Sequence, residues 1–238
     1  MATPTLVKGA RGSRSTIALK LLMASSGLVF IGFVLLHMYG NLHALPIPGF
    51  GGHDAFNAYA EHLRTIGEPM LPYTGLLWVI RLVLIAAIGA HVYSALTLWN
   101  RASNARSQSY AVKKNLGSSV SSRWMRWGGI ALLLFLVWHL LNFTIGKINV
   151  TGGANDDAFN LVVDSFSTWW LTVIYLIAMV FLGMHLHHGT WSAMQTLGFT
   201  GSAAARRRAK LAGWVVAIVI AGGFCIVPLA VLTGLITK

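Results

Sequence analysis

Residues 30–42 read FIGFVLLHMYGNL, and the reading of this stretch turns on His37, an ionisable side chain in the middle of an apolar run. Three more stretches repeat the theme: IAAIGAHVYSAL at 85–96 with His91, LLFLVWHLLNF at 133–143 with His139, and MVFLGMHLHHGTW at 179–191 with His185. An ionisable group inside an apolar helix is costly and is a functional candidate by default. One such histidine is weak evidence. One on each of four consecutive apolar stretches calls for a common explanation.

Outward from these stretches, the composition fixes the class. The 238 residues are 55% hydrophobic and 10% charged, with a mean hydropathy of +0.66. A soluble domain carries about 25% charged residues. With so few, the chain reads as an all-α integral membrane protein. Five apolar runs, at about 20–43, 72–99, 124–146, 165–193 and 211–236, each reach the roughly 20 residues needed to cross a bilayer as a helix. Together they make one membrane domain over 1–238, a bundle of five transmembrane helices. The first run is too long for the apolar core of a cleavable signal and carries a histidine, so it reads as the first span. The lone Cys225 excludes an internal disulfide, a CxxC redox motif and covalent c-type haem attachment. Between spans 1 and 2, DAFNAYAEHLRTI has helical spacing and reads as a short amphipathic surface helix. The glycine- and aspartate-containing KINVTGGANDDAFN reads as a loop, as do the polar segment 100–122 and the short stretch with Arg206, Arg207, Arg208 and Lys210.

Charge sets the expected orientation. If the five helices alternate, segments 1–20 (with Lys8, Arg11 and Arg14), 100–126 and 201–210 share one side and hold 14 of the 18 Lys and Arg. The other side holds Arg64, Lys147 and Lys238, with Arg81 inside span 2, and all six acids (Asp54, Glu61, Glu68, Asp156, Asp157, Asp164) fall there or at its border. The positive-inside rule then puts the N-terminus in the cytoplasm and the C-terminus outside. The net charge of +12 does not point to nucleic acid, because the basic residues sit in short segments beside apolar runs. Tryptophans near span ends (Trp99, Trp124, Trp127, Trp169, Trp170, Trp191 and Trp214) match an interfacial belt.

On that topology, His37 and His139 fall in the outer half of spans 1 and 3, and His91 and His185 near the inner ends of spans 2 and 4. The two layers are expected roughly 15–20 Å apart at 1.5 Å rise per residue. Two imidazoles facing across a bundle point to axial ligation of an iron porphyrin. Gly32, Gly40, Gly89 and Gly183 near these histidines are small enough to let a flat macrocycle approach. The alternative for each histidine is a hydrogen bond to a neighbouring helix. Four nitrogens split between two layers do not close a tetrahedral zinc site. His43, His53 and His62 lie at or beyond the membrane edge and read as solvated.

With the segments GLVFIGFVLLHMYGNLHA, AFNAYAEHLR, HVYSALTLWNRA, LLFLVWHLLNF and GMHLHHGTWSAMQTLG in view, the chain resembles the five-helix, di-haem cytochrome b membrane anchors of succinate:quinone oxidoreductases and fumarate reductases, from about residue 18 to 236. The resemblance implies two haem b groups: a distal, outer one on His37 and His139, and a proximal, inner one on His91 and His185. His188 shares a face with His185 and is the alternative ligand; the family's spacing to a glycine, here Gly189, selects His185. His187 and His188 otherwise read as interfacial polar residues, or as contacts to a propionate or a quinone. The resemblance further implies a bacterial cytoplasmic-membrane subunit of succinate dehydrogenase. It would take electrons from an iron–sulfur subunit and deliver them to a membrane quinone, with menaquinone favoured. A partner flavoprotein, not this chain, oxidises succinate.

Further polar groups follow from the same reading. Ser25, Ser26, Arg81 and Trp124 are expected near haem propionates, with helix packing as the alternative for the serines and snorkelling for Arg81. Tyr39, Asn41 and His43 are expected to line a quinone pocket. Some di-haem fumarate reductases carry a proton-transferring glutamate two residues before the fourth ligand. Gly183 stands there in this chain, which puts a glutamate path in doubt and leaves Glu61, Glu68, histidines or water for quinone protonation. The basic segments at 100–126 and 201–210 would dock an acidic partner surface or anionic lipid. The rival readings are a di-haem cytochrome b of another dehydrogenase, of hydrogenase or formate dehydrogenase type, and a haem-free transporter or scaffold.

Overall fold

Long apolar runs with few charges leave the backbone one economical solution, the helix, in which each N–H and C=O is satisfied within its own segment. The computed structural model, which describes residues 15–105, 120–145 and 157–238, follows that rule and is all-helical over those residues. The helices are α1 (Thr16–Leu42), α2 (Gly52–Thr65), α3 (Gly75–Asn104), α4 (Val120–His139), α5 (Ala158–Ser167), α6 (Trp169–Thr196) and α7 (Ala203–Leu232). A π-helical segment, Leu140–Thr144, continues α4. Five helices are long and apolar enough to cross a membrane: α1, α3, α4 with its extension, α6 and α7. The chain is a multi-pass membrane protein.

Contacts at the helix ends show that the five alternate in direction. Arg101 near the end of α3 donates to Thr16 Oγ1 at the start of α1. The Arg126 guanidinium at the start of α4 lies over Trp99 of α3, and Lys210 at the start of α7 lies over Trp191 of α6. This is called the near end below. At the far end sit α2, α5 and the C-terminus, where Lys238 pairs with Asp164 of α5.

Packing gives the bundle its shape. α1 packs on α3 and on α6, and α6 packs on α4. These are three sides of a square, whose fourth side, between α3 and α4, lacks comparable backbone packing. α7 lies outside, against α6 and α1. One apolar core joins α1, α6 and α7 around Leu186, Ala217 and Ile220. A larger one at the far end gathers α5, α6, α7 and the turn after α1 around Phe159, Phe166, Leu171 and Tyr175. The lipid-facing sides stay apolar and exposed, as at Leu36, Leu82, Leu134 and Ile218.

The structure corrects several boundaries. The fourth apolar run does not begin at 165. Thr168, with φ −86° and ψ 103°, is extended and separates α5 from α6. Residues 158–160, read as loop, are the first turn of α5, capped by Asp157, whose side chain accepts from the Asn160 N–H. Arg206, Arg207, Arg208 and Lys210 are not in a loop. They ride on the first turns of α7, which Ser202 caps by accepting from the Ala205 N–H at 3.1 Å. Arginine, lysine and alanine are good helix formers, and a serine cap supplies the missing acceptor. DAFNAYAEHLRTI is helical, as α2. The ends of the 100–122 segment, read as loop, are helical: 100–104 continue α3 and 120–122 begin α4. Its middle, 106–119, and Lys8, Arg11, Arg14, Lys147 and Asp156 lie outside the described residues.

Two histidine pairs on the bundle diagonals

α1 and α4 stand at opposite corners of the square, as do α3 and α6. Each diagonal carries one pair of histidines. The ring centroids of His37 on α1 and His139 on α4 are 5.8 Å apart, with planes inclined at 77°. Those of His91 on α3 and His185 on α6 are 6.0 Å apart, inclined at 55°. His185, rather than His188, faces His91. His187 turns to the outer helix, where its ring lies 4.3 Å from Trp214 of α7.

The pairs occupy two levels. A Cβ at Gly27 of α1 would sit 3.4 Å from His91, and one at Gly129 of α4 would sit 3.8 Å from His185. His37 is ten residues beyond Gly27, and His139 ten beyond Gly129. Both helices therefore set the same separation, about 15 Å along the axis. The His91–His185 pair lies toward the near end and the His37–His139 pair toward the far end.

The surroundings differ. At the far pair, Phe33 stacks on His37 at 5.4 Å and Phe224 of α7 lies 5.7 Å away. Phe135, Phe143 and Tyr175 surround His139 at 5.4 to 6.2 Å. The π-helical segment begins immediately after His139 and contains Asn142, which is fully buried and donates to Ser165 Oγ. π segments recur at functional sites. Next to the near pair, a narrow crevice with no room for a water molecule is lined by Trp124, Gly128, Phe181, Met184 and His185.

The donor set can be tested against a metal-centred cofactor. Metal–imidazole bonds of about 2 Å, with about 1 Å from nitrogen to ring centre, put two rings on one metal about 6 Å apart. Both pairs meet that spacing. Among the described residues no cluster of three or more His, Cys, Asp or Glu side chains could hold a metal, so two imidazoles suit a metal whose other positions a macrocycle fills. Nδ1 of His139 and of His185 is buried without a hydrogen-bond partner. A buried polar atom left unpaired costs about 1–3 kcal/mol, and neither ring is held by a hydrogen bond at its Nδ1 edge. Gly32 and Gly89 face open space. Gly40 and Gly183 do not: the Tyr59 ring fills the space a Cβ would take at Gly40, at 2.5 Å, and Ala221 of α7 lies against Gly183. These two serve helix packing instead of opening a slot.

The remaining candidates separate as follows. Ser26 is buried and within 3.2 Å of His91 Nδ1, whereas Ser25 is exposed and its hydroxyl is returned to Leu22 O. Trp124 lines the crevice beside His185. The Arg81 guanidinium lies over Trp78 on its own helix, one turn toward the far end. Tyr39, 51% exposed, and half-buried Asn41 and His43 flank the far end of α1. His43 is not simply solvated: it stacks on Tyr59 at 4.8 Å, and its Nδ1 lies 3.2 Å from Tyr39 O.

His53 is exposed yet held by two carboxylates. Nδ1 lies 2.9 Å from Asp54 and Nε2 lies 2.9 Å from Asp157. Asn57 donates to Asp157 and accepts from the Phe159 N–H, which ties α2 to α5. The hydrogen bond to Asp54, then that to Asp157, raise the His53 pKa above its ordinary value. Partial desolvation opposes ionisation of Asp157, but donation from Asn160 N–H, Asn57 and His53 outweighs it and lowers its pKa. Sequence spacing hid this latch, because His53 and Asp157 are more than a hundred residues apart. No protein-family model matches the chain, and no curated protein or solved structure is significantly similar to it.

Proposed function

We propose that this chain is a di-haem cytochrome b membrane anchor that passes electrons between a cytoplasmic iron–sulfur partner and a membrane quinone. The observation that carries the reading is the pair of diagonal imidazole couples, at 5.8 and 6.0 Å, stacked on two levels of one bundle. His37 and His139 would hold one haem b, and His91 and His185 the other. Iron porphyrin, when bound, supplies reversible one-electron chemistry. The chain's own residues do the rest. The four histidines fix the two positions. Phe33, Phe224, Phe135 and Phe143 keep water from the far pair. Trp124 stands where it can meet a propionate at the near pair.

The resemblance carries the finer assignment: the membrane subunit of a bacterial succinate dehydrogenase, with its N-terminus in the cytoplasm and menaquinone as the favoured acceptor. The basic near end, with Arg101, Arg126 and the Arg206–Lys210 cluster, supports a cytoplasmic placement by the positive-inside rule. It equally suits an acidic partner surface. A reduced-minus-oxidised spectrum of the detergent-extracted protein, with a pyridine haemochrome assay, tests the core of the reading. A b-type α-band and two haems per chain are expected; no α-band ends it. Co-purification with a flavoprotein carrying covalent flavin separates succinate oxidation from hydrogenase or formate dehydrogenase partnership.

A further inference from the structure

Of the four paired histidines, His91 is the one with a hydrogen-bonded ring nitrogen in this structure. Its Nδ1 lies 3.2 Å from Oγ of Ser26. Ser26 is 5% exposed, and its single hydroxyl hydrogen is taken by its own helix: Oγ donates to Leu22 O at 2.7 Å, with Met23 O at 3.1 Å sharing the same hydrogen. A serine hydroxyl has one hydrogen and two lone pairs. With the hydrogen committed to a backbone carbonyl, Oγ meets the imidazole as an acceptor. Nδ1 therefore carries the proton, and Nε2 is left with its lone pair.

We propose that Ser26 is the positioning residue of the near site, which fixes the His91 tautomer and so presents Nε2 as the donor to iron. The proposal rests on the haem reading above. Three features of α1 converge on it. Ser26 and Gly27 are consecutive: the first meets the Nδ1 edge of the ring, and the second lies against it, where a Cβ would be in van der Waals contact with Cε1 at 3.4 Å. Neighbouring Ser25 points away to the exposed side, so 26 is the hydroxyl that reaches the ring, beside the Met23 carbonyl of the preceding turn, which also accepts from the His91 ring. The partner ring has no such support, because Nδ1 of His185 is buried and unpaired. The site is thus asymmetric: one ring has polar partners on α1, the Ser26 hydroxyl and the Met23 carbonyl, and the other has none at Nδ1. A partner on the far nitrogen fixes ring orientation and raises ligand basicity.

The test is a redox titration with low-temperature EPR on the purified protein and its Ser26→Ala and Ser26→Thr variants. In Ser26→Ala, one of the two haem midpoint potentials is expected to rise, because a less basic imidazole favours ferric iron less. The low-spin g-values of the same haem should shift, and the other haem should not move. Ser26→Thr keeps a hydroxyl that can return its hydrogen to the preceding turn, and restores both signals. In a His37→Ala background, which retains only the near haem, the remaining centre must show the same displacement. Two haems with both potentials and both g-sets unmoved in Ser26→Ala would overturn the positioning role while leaving the haem reading intact. A wild-type protein without haem would overturn both.

Discussion

The two histidine pairs share a spacing and differ in almost everything around it. The far pair sits in an aromatic box contributed by α1, α4, α6 and α7. The near pair is bordered by glycine backbone at 27 and 129, a serine hydroxyl and a crevice past Trp124. The difference teaches how one bundle can hold two copies of one donor set in unlike media. Aromatic walls exclude water and offer the ring no hydrogen-bond partner. Glycine and serine leave room and supply a polar contact. Axial ligands alike in kind but unlike in hydrogen bonding and burial are the levers that set haem potentials apart.

The sharpest way to break the comparison is to delete one histidine from each pair. His37→Ala and His139→Ala should each remove the far haem and leave the near one. His91→Ala and His185→Ala should do the reverse. Pyridine haemochrome content should fall by half in all four, and the two groups should leave spectrally distinct survivors. Four variants with the same residual spectrum would mean that the pairs are not independent sites. His188→Ala, by contrast, should retain both haems.

Bulk at the glycines comes next in size. Gly32 faces open space, so Gly32→Leu should leave the haem-free fold intact but compete with a macrocycle for that space. Lower haem content at unchanged protein yield is expected. Gly27→Val intrudes on the His91 ring itself, and overpacking of this kind costs about 1–3 kcal/mol. Thermal unfolding should register it in the haem-free protein as well. Equal haem loadings for Gly32→Leu and wild type would show that the space at 32 belongs to lipid.

The pairing itself was legible before any coordinates, and for a physical reason. Charge asymmetry fixes the alternation of spans, alternation fixes depth, and depth sorts four histidines into two levels. What the sequence hides is whatever depends on side-chain direction. Hydropathy cannot see Thr168 break an apolar run, although the Ser-Phe-Ser-Thr ahead of Trp169 is a capping signal in retrospect. Ser25 and Ser26 are equivalent in sequence, yet one full turn holds 3.6 residues, so adjacent positions point about a quarter-turn apart and only one reaches His91. Asn142 escapes because its partner Ser165 lies on α5, more than twenty residues away in a segment that reads as part of an uninterrupted span.

A smaller effect sharpens the contrast at the far pair. Tyr175 lies beside His139, and its buried hydroxyl makes no well-formed hydrogen bond, with the Asn142 side chain its polar neighbour. Tyr175→Phe keeps the ring and deletes that orphan. Removing an unsatisfied hydroxyl should leave stability unchanged or raise it by about 1 kcal/mol. Ser26→Ala at the near pair removes a made contact and should lower it. Opposite signs for two hydroxyl deletions, read as shifts in Tm under one detergent condition, would express the difference between the sites. A marked loss in Tyr175→Phe would mean that the hydroxyl has a bonding role the buried box conceals.

The smallest expected effect lies outside the membrane, at the latch between α2 and α5 that covers the far end. His53 faces Asp54 on its own helix and Asp157 from the cap of α5, with Asn57 completing the set. Its raised pKa means that its contribution is fully present below the unfolded value of about 6.5. The contribution is lost as pH rises through the higher folded value. Asp157, with a lowered pKa, contributes above the unfolded carboxylate value of about 3.9, and its contribution is lost as pH falls through the lower folded value. The latch is therefore tightest between these limits, in mildly acidic solution. Comparing Tm for wild type and His53→Gln across pH should show the largest gap near about pH 5–6 and a narrowing gap through pH 8. The site is exposed, so the gap should be small and should shrink with added salt. A gap that widens with rising pH would mean that His53 works as a neutral ring and that its charge adds nothing to the latch.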